Sequence, residues 1–206
     1  MTESFWNEFS GWYKPRLTLD DSITQSAGNL VQEVRKAVGK RDFWQVSESE
    51  LSAIYIATAL LKPGNVVETG VGPGTTSFAF LSAIGNSGNL YSFDLGVKYG
   101  QEKAELPVGF VVPERVKKNW HLTIGNSRET LLPKLREIGS VNIFLHDSEH
   151  TYDHVTLELD SVLPYLRGNW IIMVDNFDWT DAPHDFAERN KFSLVRVVDD
   201  LCFIHS

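Results

Sequence analysis

Cysteine is nearly absent from this chain. Cys202 stands alone among 206 residues, so an internal disulfide is excluded, and a reducing, cytoplasmic setting is the expected compartment. Long apolar runs are missing as well. No stretch approaches the roughly 20 apolar residues that a membrane-spanning helix needs. The opening Met1-Thr2-Glu3-Ser4 has no basic flank followed by an apolar run, so no secretory leader is expected. Basic residues are in deficit: 19 Lys and Arg stand against 27 Asp and Glu, a net charge of −8. A nucleic-acid backbone calls for the opposite balance, which removes it as an expected partner. Repeats and low-complexity tracts are also lacking. What is present, 42% hydrophobic and 22% charged residues, suits one soluble domain with a sizeable core.

The order of elements is readable from period and punctuation. Residues 1–27 mix Phe5, Trp6, Phe9, Trp12 and Tyr13 with polar residues and show no clean period. Leu30, Val31, Val34 and Val38 have helical spacing that Gly39 ends. Ser47 and Glu50 form a capping box ahead of a helix carrying Leu51, Ile54, Tyr55 and Leu61, closed by Pro63-Gly64. Strands and helices then alternate. Strands are expected at 65–69, 90–94, 120–124, 141–145 and 170–174, and helices near 75–84, 113–119, 128–137, 151–164 and 181–189. Two short strands at 192–198 and 201–205 are joined only by Asp199-Asp200, so they must form an antiparallel hairpin. The expected fold class is α/β: a doubly wound, mostly parallel seven-stranded sheet with helices on both faces and a C-terminal antiparallel hairpin.

In such a sheet the ligand sits beyond the carboxyl ends of the strands. The residues that fall there are Gly70 to Thr76, Asp94, Gly125 to Ser127, His146 to His150, and Asp175-Asn176. Val66-Val67-Glu68-Thr69-Gly70-Val71-Gly72-Pro73-Gly74-Thr75-Thr76 reads as strand, glycine-rich turn and helix start, with glycines that let backbone approach a ligand. It has no Lys and carries a carboxylate, which disfavours a triphosphate and suits a cofactor with hydroxyls and a cationic centre. Thr75 occupies the third position of a dinucleotide fingerprint, where a β-branched residue disturbs helix packing. Asp94, ending the next strand, is placed to accept both hydroxyls of a ribose.

These motifs resemble the class I S-adenosylmethionine-dependent methyltransferases, and within them the metal-dependent O-methyltransferases of the catechol and caffeoyl-coenzyme A type. The run His146-Asp147-Ser148-Glu149-His150-Thr151-Tyr152 resembles that of related small-molecule methyltransferases. The resemblance covers roughly 46–206 as the methyltransferase domain and leaves 1–45 as an N-terminal segment for a lid or a dimer contact. It implies a rossmann-like fold and S-adenosyl-L-methionine as cofactor. Val46, Glu68, Gly70, Val71, Gly72 and Thr76 would hold the cofactor's methionine part and its approach, Asp94 the ribose, and Asn126 and Ser127 the adenine side, with His146 also among the cofactor-binding residues. Asn126 departs from the acid of the family's Gly-Asp-Ala segment; it keeps an acceptor and loses a charge.

The resemblance also implies a divalent metal, Mg²⁺ by ligand type with Mn²⁺ or Ca²⁺ as alternatives, on Asp147, Asp175 and Asn176. Asp147 and His150 are the candidate catalytic residues, with His150 where the catechol enzymes carry a basic Lys. His146 competes both as base and for the family's acid position. The acceptor is a small-molecule hydroxyl, and the connection 95–112, with Tyr99, Pro107 and Phe110, either lines its pocket or packs on the surface. Three readings stay beside this one: a metal-free methyltransferase using His150, a non-catalytic cofactor-binding protein, and a nicotinamide-dependent oxidoreductase.

Overall fold

The computed structural model describes residues 3–13, 16–40, 45–96 and 106–206. Seven helices are found among them: α1 (Glu3–Gly11), α2 (Asp21–Val38), α3 (Glu48–Leu61), α4 (Thr75–Ile84), α5 (Ser127–Ile138), α6 (Tyr152–Val162) and α7 (Ala182–Asn190). The strands are β1 (Asn65–Thr69), β2 (Asn89–Asp94), β3 (Trp120–Ile124), β4 (Val141–His146), β5 (Leu166–Val174), β6 (Ser193–Val198) and β7 (Leu201–His205). They form one sheet in the order β3-β2-β1-β4-β5-β7-β6. The pairs from β3 through to β5 are parallel, and β7 runs antiparallel to both β5 and β6. The sheet is therefore the doubly wound one expected. The hairpin folds back inward, so β6 takes the edge and β7 fills the gap beside β5.

Strands buried on both faces need apolar side chains on both. One core lies under α1 to α4 and takes Val66, Leu90, Ile143, Leu145, Met173 and Phe203 from the sheet. The other lies under α5 to α7 and takes Val67, Phe93, Phe144, Ile172, Val174 and Ile204. Cys202 faces this second core, fully buried.

Helix ends follow local chemistry. The Ser47 hydroxyl accepts from the Glu50 amide at 3.1 Å while the Glu50 carboxylate accepts from the Ser47 amide at 2.7 Å, completing the capping box. Asp20 caps α2, accepting from the Ile23 amide at 3.1 Å, and Gly39 ends it with φ of 68°. The segment 114–119 is a 3-10 helix, and the helix expected over 151–164 ends at Val162, with a 3-10 turn carrying Pro164 after it.

The described residues of the segment 1–27 are more ordered than their sequence suggested. α1 carries Trp6 and Phe9 into the core, where Phe9 lies 5.9 Å from the ring of Phe203. Trp12 stacks on His205 at 3.9 Å, and the Tyr13 hydroxyl donates to the Trp170 carbonyl. Trp170 and His205 lie toward the amino end of β4, whereas Phe203 pairs with Met173, level with Leu145 near its carboxyl end. The spacing was unreadable because the aromatic residues of α1 contact one another as well as the sheet.

Candidate active site

The sheet order reverses at β1 and β4, which opens a crevice at their carboxyl ends. Two loops meet across it. Gly70 has φ of 81°, and a Cβ there would fall 1.7 Å from the Asp147 carbonyl oxygen. Only glycine permits that approach. Gly74, φ 93°, similarly abuts Gly109, whose amide donates to the Gly72 carbonyl at 2.9 Å. The described part of the 95–112 connection thus backs the glycine turn, with Val111 and Val112 in the core; Tyr99 lies outside the described residues.

Asp94 sits where expected, at the end of β2. One carboxylate oxygen accepts from the amides of Val71 and Gly72 at 3.0 Å each, and the other accepts from Gly96 at 2.7 Å. A cavity of about 300 Å³ lies beside it, bounded by Gly70, Asp94, Leu95, Asn126, Ser127, Glu149 and others. A second, of about 240 Å³, is lined by Gln45, Val71, Gly72, Pro73, His150, Asp175 and Asn176 among others. The two share Gly70 and Asp147. A larger cavity of about 730 Å³ between α1, α2 and α3 touches none of the sequence candidates.

Four residues expected to touch the cofactor lie behind this cleft. Strand alternation turns Glu68 toward α4, fully buried, where it accepts from Thr76 at 3.0 Å, from Ser92 at 2.6 Å and from Ser77. Burial lifts its carboxyl to about 7, against the pull of those three hydroxyls. Thr76 is thereby committed to Glu68. Val46 packs against α2, next to Thr75 and Leu51, and its neighbour Gln45 reaches the cleft instead. His146 ends β4 with its ring turned toward α6 and no exposed surface.

Asp147, His150 and Asp175 do come together. One donor atom from each lies within 4.8 Å of the others. Asn176, at φ 50°, donates from its amide to Asp175 at 2.6 Å and stands 3.4 Å from His150 Nε2. Burial and the facing Asp175 charge hold the Asp147 carboxyl well above its ordinary range, and burial lifts Asp175 to about 6. Burial, helped by His146, lowers His150 to about 4, so its ring is neutral at pH 7 and offers a lone pair. Two carboxylates that repel at this range, with an imidazole and an amide beside them, fit a hard divalent cation, which would relieve the repulsion.

A model of the methyltransferase domain matches residues 67–177, more than half of the chain. The chain belongs to this methyltransferase family. Solved structures agree on the fold. The O-methyltransferase NovP superposes with a TM-score of 0.68 at 14% identity, over 88% of this chain and 98% of that one. A methyltransferase from Geobacter sulfurreducens gives 0.62 at 15%, over 99% and 97%. The O-methyltransferase TomG from Streptomyces achromogenes, in complex with SAM, gives 0.60 at 17%, over 99% and 97%. The curated proteins contain no match.

The methyltransferase carries two acids that sequence reasoning did not assign to the site. Glu50, read only as a cap, is buried; it accepts from the Asp200 amide at 3.2 Å and forms a second carboxylate trio with Asp175 and Asp200. Burial, then Asp200, raises its carboxyl to about 7. Glu158 of α6 lies fully buried behind His154, which lines the cavity beside Asp94. It accepts from Thr69 Oγ1 at 2.5 Å, His146 Nδ1 at 2.7 Å, His154 Nε2 at 2.8 Å and Ser148 Oγ at 3.1 Å. Those donors hold its carboxyl far below the usual range despite burial. The i, i+4 spacing of His154 and Glu158 was the available signal for this network.

Proposed function

We propose that this methyltransferase transfers the methyl group of S-adenosylmethionine to a hydroxyl of a small molecule, assisted by a divalent cation. The observation that carries the reading is the pair of cavities that meet at Gly70 and Asp147. The one beside Asp94 suits the nucleoside, and the one beside Asp175 suits the acceptor. The similarity to the O-methyltransferase TomG, solved in complex with SAM, and to the O-methyltransferase NovP supports the cofactor and the reaction type.

Each residue has a physical task in this reading. Asp94 is placed to accept ribose hydroxyls, and its existing bonds to the glycine turn fix its carboxylate. Gly70 lets the backbone of β1 approach the reacting centre. Asp147, Asp175 and Asn176 would hold the cation, whose charge makes an acceptor hydroxyl more acidic when bound. His150, neutral at pH 7, accepts a hydrogen bond from that hydroxyl and orients it. The described lining of the acceptor cavity contains no Lys or Arg, which favours an acceptor without a phosphate or carboxylate at its reacting end. Prealignment in such a cleft is worth more to the rate than any single proton transfer.

The test begins with binding, which needs no known acceptor. Titrating Mn²⁺ and S-adenosylhomocysteine into metal-stripped protein should show saturable binding of both. Asp175→Ala should weaken Mn²⁺ binding by about 100-fold or more and leave the nucleoside's affinity unchanged. Nucleoside binding without any Mn²⁺ binding would move the reading to a metal-free transfer, which the neutral His150 ring beside Asp147 favours. Absence of nucleoside binding would remove the cofactor.

A further inference from the structure

Two backbone bonds bracket the pair of candidate cation ligands after β5. The Asp175 amide donates to the His146 carbonyl at 3.0 Å, and the Phe177 amide donates to the Asp200 carbonyl at 3.1 Å. The first bond ties Asp175 to the residue before Asp147, so it sets one side of the site directly. The second ties the far side to the turn of the β6–β7 hairpin. Asn176 lies between them at φ 50°, a left-handed conformation that Asn tolerates and that the surrounding bonds must hold. The far side of the site is therefore only as fixed as the hairpin turn. That turn is anchored from a distant part of the chain. Glu50 is 2% exposed, and its two carboxylate oxygens are divided between two elements. Oε2 accepts from the Ser47 amide in the capping box, and Oε1 accepts from the Asp200 amide at 3.2 Å. Asp200 thus spends its N–H on Glu50 and its C=O on Phe177. Ser47 and Arg196 also bond to Asp199, but in contact with water, which competes for those bonds. Glu50 reaches the turn from inside the fold.

We propose that Glu50 is a positioning residue for the cation site: through the Asp200 backbone it fixes the turn that aims Asp175 and Asn176 at Asp147. The inference rests on the cation reading above and gives the start of α3 a task beyond capping. Glu50 lines neither of the two cavities that meet at Gly70 and Asp147, so its effect passes through the turn. A small hard cation is sensitive to the spacing of its ligands. Groups one bond behind the ligands set that spacing, and their loss commonly changes metal affinity by about 10- to 100-fold.

The experiment pairs amide hydrogen exchange with Mn²⁺ titration, both on the full chain. Glu50→Ala should speed exchange at the Phe177 amide by about tenfold or more beyond any change at amides in the middle of β1, which open only with the whole fold. The same variant should weaken Mn²⁺ binding by about 10-fold or more and leave the affinity for S-adenosylhomocysteine at the wild-type value. Asp20→Ala removes the cap of α2 and serves as the comparison for a lost cap alone; it should change neither the Phe177 amide nor Mn²⁺ binding. If Glu50→Ala does not fold, Glu50→Gln decides. It keeps the size of the side chain but offers one acceptor oxygen to two amides, and should move both readouts in the same direction. Wild-type exchange at Phe177 in the folded variant, or faster exchange there with unchanged Mn²⁺ affinity, would overturn the proposal and leave the cation reading intact. A parallel loss of Mn²⁺ and nucleoside binding would also overturn it, by showing a general disturbance of the fold. Failure of the wild type to bind Mn²⁺ would overturn the cation reading itself, and this proposal with it.

Discussion

Single residues here do work that their positions in the sequence conceal. Glu68 falls inside the glycine-turn motif, and its place in the motif suggested a ligand contact. Alternation along β1 instead buries it under the turn, where three hydroxyls from α4 and β2 converge on it. Its carboxyl rises from 4.5 to about 7. The folded state therefore holds a proton that the unfolded chain releases at lower pH, and the contribution of this group to stability is complete below pH 4.5 and is lost as pH rises through about 7. The displacement corresponds to about 3 kcal/mol. Glu68→Gln cannot ionise, so relative to the wild type it should gain up to about that much stability between pH 5 and pH 8. Urea unfolding at the two pH values measures it, and parallel wild-type and variant curves would refute it. Asp147, Asp175, Asn176 and His150 were legible as a group because strand-end geometry brings them together from two short stretches of chain. Glu50 and Asp200 were not, since their contact joins residues 150 positions apart and no local pattern records it.

At the scale of elements, punctuation was the better guide. The capping box, the glycine-ended α2, the hairpin at Asp199-Asp200 and most strand limits were legible, because each depends on chemistry within four or five residues. α1 and the first turns of α2 were not, since aromatic residues fall on more than one side of α1 and tertiary packing decides which are buried. Ser47 shows how an element end and the site are linked. It caps α3 and also donates to Asp199 at 2.7 Å, in the hairpin whose next residue meets Glu50. Ser47→Ala should cost about 1 kcal/mol, and Ser47→Gly only a few tenths. Thermal unfolding of the two variants separates the cap from the Asp199 contact: an equal, full loss in both would assign the energy to that contact.

For the molecule as a whole, the helices of the first 61 residues form one wall of the fold, although the family match begins at residue 67. α1 contributes Phe9, which has no exposed surface and lies among Phe5, Trp6, Trp12, Tyr13 and Phe203. Phe9→Ala should destabilise by about 3–5 kcal/mol. Phe9 lines neither of the two cavities that meet at Gly70 and Asp147, so the fraction that stays folded should bind nucleoside with wild-type affinity. A combined loss of stability and affinity would show that α1 reaches the cleft after all.

The inward fold of the hairpin has a consequence for how the chain is made. β6 precedes β7 in synthesis, yet it meets the sheet only through β7. While a ribosome is still adding residues 201–205, β5 exposes an open backbone edge and β6 has no strand to join. The part of the second core formed by Ile172, Val174 and their partners on β7 closes only when Leu201–His205 slides between the two waiting strands. The nascent protein thus keeps a strand-shaped slot until its 201–205 segment emerges, and any competing extended peptide that fills the slot first would trap it.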